Sequence, residues 1–247
     1  KFWKTLLLRQ EEARKEVFRW GVVGYVLSTI CSDFLSTVFL FLVAKLWRYI
    51  HLGRVRYHLT RSMLRYAIPL IPTTIFWWIT NVSDRYMVTA MISASANGLY
   101  AAAYKIPTVV TLISGIFIDA WQMSAVTEND LATRESFYSR VFGAYQSIVF
   151  LSAAGLTVFA KVLTRLLVAP SYYESWRYIP FLLMATTFSC FVSFLGSVYM
   201  VEKKSGMTLL TTVIGAGVNV ALNLTLIPRI GVNGAAIATF LSYLAVF

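Results

Sequence analysis

Residues 66–121 carry the sequence YAIPLIPTTIFWWITNVSDRYMVTAMISASANGLYAAAYKIPTVVTLISGIFIDAW, which decides the fold of the whole chain. The pattern predicts two long apolar helices that are joined by a turn of small residues at 93–97. Four charged side chains interrupt these helices: Asp84, Arg85, Lys105 and Asp119. A charge at the centre of a membrane costs about 2.5–3.5 kcal/mol on insertion scales, so lipid-facing helices avoid it. The charges therefore indicate a functional site inside a bundle of helices.

The composition of the chain indicates a membrane protein. Of its 247 residues, 58% are hydrophobic and only 13% are charged, whereas soluble domains are about 25% charged. The net charge of +11 would suggest a nucleic-acid ligand in a soluble protein. Here the basic residues cluster between apolar runs, as they do in cytoplasmic loops, so we expect no nucleic-acid partner. We also expect a piece of a longer protein, because the chain starts at Lys1 and stops inside an apolar run.

Seven membrane spans are predicted from apolar runs of the roughly 20 residues that a bilayer requires. They cover residues 21–46, 66–92, 96–126, 141–168, 179–201, 207–227 and a last span that begins at 231. Residues 1–20 are predicted to be either an interfacial helix or a truncated join, and residues 51–65 a basic cytoplasmic connection. Loops 45–65, 127–140 and 202–206 hold ten Lys and Arg residues, against four in the loops between them. The first set is therefore expected to face the cytoplasm.

A short repeat suggests two related halves. The segment GVVGYVLSTI at 21–30 and the segment GVNGAAIATF at 231–240 share the pattern G-V-x-G-x-x-[LI]-[SA]-T. Both copies start a predicted span on the same side of the membrane. This arrangement predicts two halves of the same topology, related by an axis along the membrane normal. The alternative is that both copies are ordinary turn glycines before a helix.

Three prolines shape the central pair of helices. Pro69 and Pro72 are predicted in the first turn of their span, where a missing N–H does little harm. Pro107 lies inside the next predicted span, where it removes a backbone bond to Ala103 and should kink the helix. Kinked helices open cavities at membrane depth in transporters. A kink that only improves packing is the alternative.

Charges on three predicted spans fall at a similar depth. At a rise of 1.5 Å per residue, Arg85, Lys105 and Asp33 each lie roughly 12–14 Å from the outer ends of their spans. Arg85 and Lys105 can hold a phosphate group of a substrate. Alternatively, Asp84 and Asp33 neutralise the two cations as structural pairs. We favour a substrate cavity over structural pairs, because two charge pairs at one depth make a natural gate.

Other polar residues of the spans fall into two groups. Trp77 and Asn81 share a helix face with Arg85 at i, i+4 and i+8, which makes that face polar and aromatic. Asp119 is expected to lie at the cytoplasmic interface of its helix. Asn219 and Asn223 are expected to form hydrogen bonds with neighbouring helices.

The sequence contains no catalytic set of Ser, His and acid, no paired cysteines, and no phosphate-binding glycine loop with a lysine. It also lacks a cluster of metal ligands, so we expect no enzymatic activity, no cofactor and no metal site. Cys31 and Cys190 are expected to act as small hydrophobic residues. His51 and His58 are expected to be solvated.

Several motifs resemble the oligosaccharide flippases of polysaccharide biosynthesis, in the multidrug/oligosaccharidyl-lipid/polysaccharide (MOP) exporter superfamily. The motifs are PLIP, SDRY, NGLY, KIP, WQMSAV and the closing GVNGAAIAT, and the resemblance covers residues 21–247. It implies an all-α integral membrane protein with a polytopic, MATE-like helix bundle. Residues 21–50 would be the last helix of a first lobe, and residues 66–247 a second six-helix lobe that ends within its last helix.

The resemblance also implies a function. Such proteins move undecaprenyl-diphosphate-linked sugar units across the cytoplasmic membrane of bacteria or archaea by alternating access. Arg85 and Lys105 match the cavity cations that are proposed to meet the lipid diphosphate, and Asp84 and Asp33 would pair with them in the empty state. The other candidate substrate-binding residues are Asn81, Trp77, Trp78 and Tyr104. Besides the lipid bilayer and the lipid-linked oligosaccharide, polysaccharide polymerases and glycosyltransferases are candidate partners.

Two alternative functions remain open. A cation-coupled multidrug exporter of the same superfamily would carry its coupling ion on Asp33, Asp84 or Asp119, although Arg85 and Lys105 would repel a cationic drug. A non-transporting scaffold of a polysaccharide synthase would need no cavity. The water accessibility of position 105 separates the scaffold from both transporters.

Overall fold

The chain is helical, without strands, throughout the residues that the computed structural model describes, which are 21–49, 57–127 and 131–247. It divides into two compact units, Lys1–Leu59 and Thr60–Phe247. The predictions for residues 1–20 and for His51 lie outside the described residues, as do the first residues of the basic connection.

Helix α1 of the first unit covers Gly21–Val43, and a short 3₁₀ helix follows at Leu46–Arg48. None of the side chains in its apolar span, Val23–Val43, is buried within the structure. A helix that is apolar on all sides needs lipid or other protein around it, so this exposure suits a membrane span. The predicted first span is confirmed, and it ends just before Lys45, which adopts a left-handed conformation with φ of 50°.

The remaining helices follow in chain order with short connections. They are α2 (Tyr57–Ala67), α3 (Leu70–Met91), α4 (Ala94–Ala103), α5 (Pro107–Thr127), α6 (Leu131–Val158), α7 (Ala160–Leu167), a 3₁₀ helix (Pro170–Arg177), α8 (Ile179–Val201), α9 (Ser205–Ile230) and α10 (Val232–Val246). Among the described residues, five helices are long and apolar enough to cross a membrane, namely α1, α5, α6, α8 and α9. Helix α3 has the length of a span, but hydroxyl, amide and charged side chains lower its mean hydropathy.

The prolines act at helix starts. Pro69 is the N-cap of α3 and Pro72 lies in its first turn, as predicted. Pro107 is the first residue of α5, so the predicted third span is divided into α4 and α5. The backbone N–H of Lys105 bonds the carbonyl of Ala102 at 3.3 Å, three residues back, which marks the change of path. The predicted kink is confirmed as a break of the helix at residues 104–106.

Two predicted boundaries are wrong. The predicted loop at 127–140 is helical from Leu131, and α6 ends at Val158 rather than 168. The segment that was assigned to the end of that span forms the separate helix α7, which carries Lys161 and Arg165 among apolar residues. Its mixed composition suits a surface or interfacial helix better than a lipid-embedded one. The predicted fifth span, 179–201, is confirmed as α8, and Pro228 is accommodated inside α9 instead of ending it.

Helix α8 lies at the centre of the second unit, in contact with α5, α6 and α10. Its buried face joins an aromatic cluster in which the rings of Trp121 and Phe194 stack at 4.8 Å. The indole N–H of Trp121 donates to Ser197 Oγ at 2.9 Å, and the hydroxyl of Tyr145 donates to the carbonyl of Cys190 at 3.2 Å. Buried polar groups on the aromatic residues are thus paired, as the membrane interior demands.

Helices α9 and α10 approach closely at the second copy of the repeat. Gly231 ends α9 with φ of 66°, a conformation that glycine adopts without strain. A Cβ atom on Gly234 would lie 2.6 Å from the carbonyl oxygen of Leu226, so only glycine fits there. Small residues permit such backbone contacts between membrane helices. The two glycines of the motif at 231–234 are therefore required for different reasons: Gly231 for its backbone conformation and Gly234 for the close helix contact.

Candidate functional site

The carboxylate of Asp84 is fully buried at the interface of α3 and α4. The hydroxyl of Tyr100 donates to Asp84 Oδ2 at 2.6 Å, and the hydroxyl of Tyr104 lies 3.4 Å from the same oxygen. The backbone N–H of Arg85 donates to Asp84 Oδ1 at 2.8 Å. Hydrogen bonds compensate a buried carboxylate for the loss of water. Phenols and a backbone amide, rather than cations, hold this carboxylate.

Both candidate cations are exposed, and Arg85 directly follows the buried carboxylate on α3. The guanidinium carbon of Arg85 lies 5.1 Å from the ring centre of Tyr104, a cation–π distance. Among the described residues, the ion pairs within 4.0 Å are Arg177–Glu174 and Lys204–Glu202, and neither contains Arg85 or Lys105. The guanidinium of Arg85 and the ammonium of Lys105 therefore remain available to a ligand as hydrogen-bond donors.

The break between α4 and α5 positions Lys105. Residues 104–106 form the turn between the two helices, and Lys105 extends outward while Ile106 and Pro107 are buried. The turn also places Tyr104 against Asp84 on one side and Arg85 on the other. This turn thus places Tyr104 against both Asp84 and Arg85, and it leaves Lys105, the next residue in the chain, exposed.

The other candidate residues of α3 lie in two different surroundings. Asn81 accepts a hydrogen bond from the hydroxyl of Tyr243 at 3.3 Å and donates to the carbonyl of Trp77 at 2.8 Å. Trp77 and Trp78 are 57% and 53% exposed. Trp77 faces a cavity, whereas Trp78 lies near Tyr86, with ring centres 6.5 Å apart.

That cavity has a volume of about 300 Å³ and lies between α3, α8, α9 and the end of α10. Its wall combines Trp77 and a few aliphatic residues with many hydroxyl groups, among them Thr73, Thr74, Ser193, Thr211 and Thr212. Within the described part of the chain, no Asp, Glu, Lys or Arg side chain lines it. The wall thus mixes hydroxyl groups with apolar surface, and its described residues carry no charge.

An amide network ties α3 to α9 and α10 below the surface. Asn219 Oδ1 accepts hydrogen bonds from Ser83 at 3.0 Å and from Asn223 at 2.9 Å. The side-chain amide of Asn219 lies 3.5 Å from Thr239 Oγ1. The predicted interhelical bonding is confirmed for Asn219, whereas Asn223 bonds within its own helix.

Asp33 and Asp119 are found on α1 and α5, respectively. Asp33 is an exposed residue of α1, in the first unit, and its carbonyl accepts a bond from Thr37 at 2.7 Å. Asp119 is exposed on α5. The predicted pairing of Asp33 and Asp84 with the two cations stays a prediction.

Tyr100 and the threonines of the cavity are not among the candidate residues that the sequence predicts. Tyr100 lies sixteen residues after Asp84, and nothing in a linear sequence reports that the following helix folds back onto it. The threonine pairs at 73–74 and 211–212 were visible as polar groups in apolar spans. Threonine commonly bonds its own helix, so that signal alone does not indicate a ligand site.

Comparisons with known proteins agree on the kind of protein. Residues 16–122 match the family described as "Polysaccharide biosynthesis protein". The fold matches an outward-facing conformation of a multidrug resistance MATE family transporter of the MOP superfamily, with a TM-score of 0.56 and 19% sequence identity. The match covers 75% of this chain and 42% of the transporter. No curated protein sequence matches the chain.

The family model matches part of the chain, and the structural match shows a MATE-like helical fold. They confirm the resemblance and the predicted all-α, MATE-like membrane fold. The five candidate spans among the described residues make this a multi-pass membrane protein. The chain spans 42% of the length of the matched transporter, and the predicted division into a first and a second lobe stays a prediction.

Proposed function

We propose that this chain is part of a flippase that moves undecaprenyl-diphosphate-linked oligosaccharides across the cytoplasmic membrane by alternating access. One observation carries the proposal: Arg85 and Lys105 are exposed cations without acidic partners among the described residues, on helices α3 to α5 of a MOP-type fold. Exposed cations at membrane depth are costly unless they serve a ligand or a pathway. A lipid diphosphate is an anion of the type that Arg and Lys bind.

The buried carboxylate supports this assignment of charge. If Asp84 neutralised Arg85 or Lys105 directly, the site would have little attraction for an anion. Instead its oxygens accept hydrogen bonds from Tyr100 and the backbone of Arg85, and the hydroxyl of Tyr104 lies 3.4 Å away. The local surface therefore presents positive charge, with Tyr104 as a rigid platform beside the guanidinium. In the proposed cycle the diphosphate binds at this surface.

The test is transport of a fluorescent undecaprenyl-diphosphate oligosaccharide in proteoliposomes that contain the full-length protein. A charge-assisted hydrogen bond contributes about 1.5–3 kcal/mol, so Arg85→Ala or Lys105→Ala should each lower the apparent affinity roughly tenfold to a hundredfold. Arg229→Ala and Lys203→Ala change exposed cations elsewhere in the second unit and should leave transport unchanged.

Two results would contradict the proposal. Normal transport by the Arg85→Ala and Lys105→Ala proteins would show that the diphosphate does not bind at this site. Efflux of a cationic dye by a protein that flips no undecaprenyl lipid would instead support the cation-coupled exporter.

A further inference from the structure

The hydroxyl-lined cavity extends from Trp77 towards the N-terminal end of α3, whereas Arg85 lies nearer the C-terminal end, and Tyr243 of the cavity wall donates to Asn81 between them at 3.3 Å. Trp77 in its wall precedes Arg85 by eight residues on α3, which corresponds to roughly 12 Å along the helix axis. The cavity is also formed by different helices, α8, α9 and α10, whereas α4 and the following turn hold Lys105 and the two phenols. A group bound in this cavity would need a chemistry other than that of a diphosphate.

The hydroxyl groups of the wall are oriented by their own helices. Thr212 donates to the carbonyl of Thr208 at 2.7 Å, Thr211 to Met207 at 3.0 Å and Thr73 to Pro69 at 2.8 Å. Ser193 and Thr74 make the same kind of bond, at 2.9 Å and 3.1 Å. A hydroxyl has one hydrogen and two lone pairs, so each of these oxygens is left as an acceptor. The cavity therefore presents several fixed acceptors from three helices.

A cavity of acceptors suits a ligand that is rich in donors. Ammonium ions and sugar hydroxyls both qualify. A buried cation needs a negative partner, and the described wall offers no carboxylate. Neutral hydroxyl groups need no counter-charge, and the face of Trp77 gives an apolar surface for the C–H side of a sugar ring. The volume of about 300 Å³ is at the lower end of small-molecule sites, which run to roughly 1,000 Å³.

We propose that this cavity binds a neutral, hydroxyl-rich group of monosaccharide size, through the acceptor oxygens of Thr211, Thr212 and Ser193 and the indole of Trp77. If the sugar is carried by a lipid diphosphate, the proposal rests on the proposed function and assigns the sugar end of that substrate to a second site. A free sugar has the same chemistry, and the experiment separates the two sources.

The experiment measures equilibrium binding to the full-length protein in nanodiscs with three probes. The first is a panel of free glucose, galactose, mannose and N-acetylglucosamine, the second is the same sugars linked to undecaprenyl diphosphate, and the third is undecaprenyl diphosphate alone. The main variant is Thr211→Val combined with Thr212→Val, which removes two acceptors and keeps the side-chain shape. Ser193→Ala removes an acceptor on α8 and tests the cavity independently if the double variant folds poorly.

Thr225→Val is the matched control. Thr225 lies on the same helix and donates to the carbonyl of Ala221 at 3.1 Å, but it is exposed and does not line the cavity. Each lost hydrogen bond should weaken sugar binding roughly twofold to tenfold. We expect the cavity variants to weaken binding of the sugar-bearing lipid while Thr225→Val and the sugarless lipid show no change.

Each outcome either identifies the source of the sugar or tests the proposal itself. Weaker binding of free sugars, with lipid-linked sugars unaffected, would support a sugar site that serves a free ligand. Cavity variants that bind every probe as tightly as the unmodified protein would overturn the proposal. An Arg85→Ala protein that transports normally would contradict the proposed function alone, because binding of the free sugars does not depend on it.

Discussion

Helix α3 carries polar side chains towards both of its ends, and the two ends differ in how those groups are paired. Near the C-terminal end, the carboxylate of Asp84 is buried and accepts a hydrogen bond from the Tyr100 hydroxyl, while Arg85 is exposed. Near the N-terminal end, Thr73 and Thr74 bond their own helix and face an uncharged cavity. The difference separates charge recognition from hydroxyl recognition along one helix, which suits a substrate with a charged and a neutral part.

The largest expected effect comes from removing the buried carboxylate. Asp84→Ala leaves the hydroxyls of Tyr100 and Tyr104 without their acceptor, and an unpaired buried polar group costs about 1–3 kcal/mol. We therefore expect a clear loss of thermal stability in detergent, with a smaller loss for Asp84→Asn, which keeps one acceptor oxygen.

Asp119→Ala is the control, because Asp119 is an exposed carboxylate on α5, and its change should stay within about 0.5 kcal/mol. Equal melting curves for Asp84→Ala and Asp119→Ala would mean that the charged end of α3 does not depend on its phenol pairing.

The accessibility of the charged end is the next test. Lys105→Cys should react with a membrane-impermeant thiol reagent at least about tenfold faster than Ala103→Cys, because Lys105 is exposed and Ala103 is fully buried. The protein for this test should carry Cys31→Ser, since Cys31 is exposed and Cys190 is buried. Slow labelling at position 105 would favour the scaffold without a water-filled path.

The smallest expected effect is the difference in stability between removing the hydroxyl of Tyr100 and removing that of Tyr104. The hydroxyl of Tyr100 lies 2.6 Å from Asp84 Oδ2 and that of Tyr104 lies 3.4 Å away, which is beyond the usual length of an O–H···O bond. Tyr100→Phe should therefore cost about 1 kcal/mol of stability and Tyr104→Phe clearly less. Thermal melting of the two variants in parallel gives the comparison, and a larger loss for Tyr104→Phe would reverse our assignment of the main partner.

Much of the fold follows from local signals in the sequence. Apolar runs gave the spans α1, α8 and α9 closely, since each of these helices is limited by polar or glycine-containing turns. Pro107 predicted an irregularity that the structure places at residues 104–106. The end of α6 was missed because Lys161 and Arg165 follow an apolar run, and only the break at Phe159 shows where the span stops.

The site was less predictable than the fold. Charges in apolar helices identified Arg85, Lys105 and Asp84 as unusual, because each is costly in a membrane. Which groups meet is decided by helix packing, and so the phenols at Asp84 and the bond from Tyr243 to Asn81 were not expected. The cavity forms where α3 meets the consecutive helices α8, α9 and α10, which come much later in the chain, so no single segment of the sequence predicts it.

The glycine at position 234 bears on motion. Side chains between two packed helices can change rotamer, and such changes allow the helices to slide or tilt relative to each other. At Gly234 there is no side chain, and the backbone of α10 lies directly against the backbone of Leu226 in α9. The two helices cannot approach, and separating them would break a contact that spans the turn at Gly231. Helices α9 and α10 therefore form a fixed frame within the second unit.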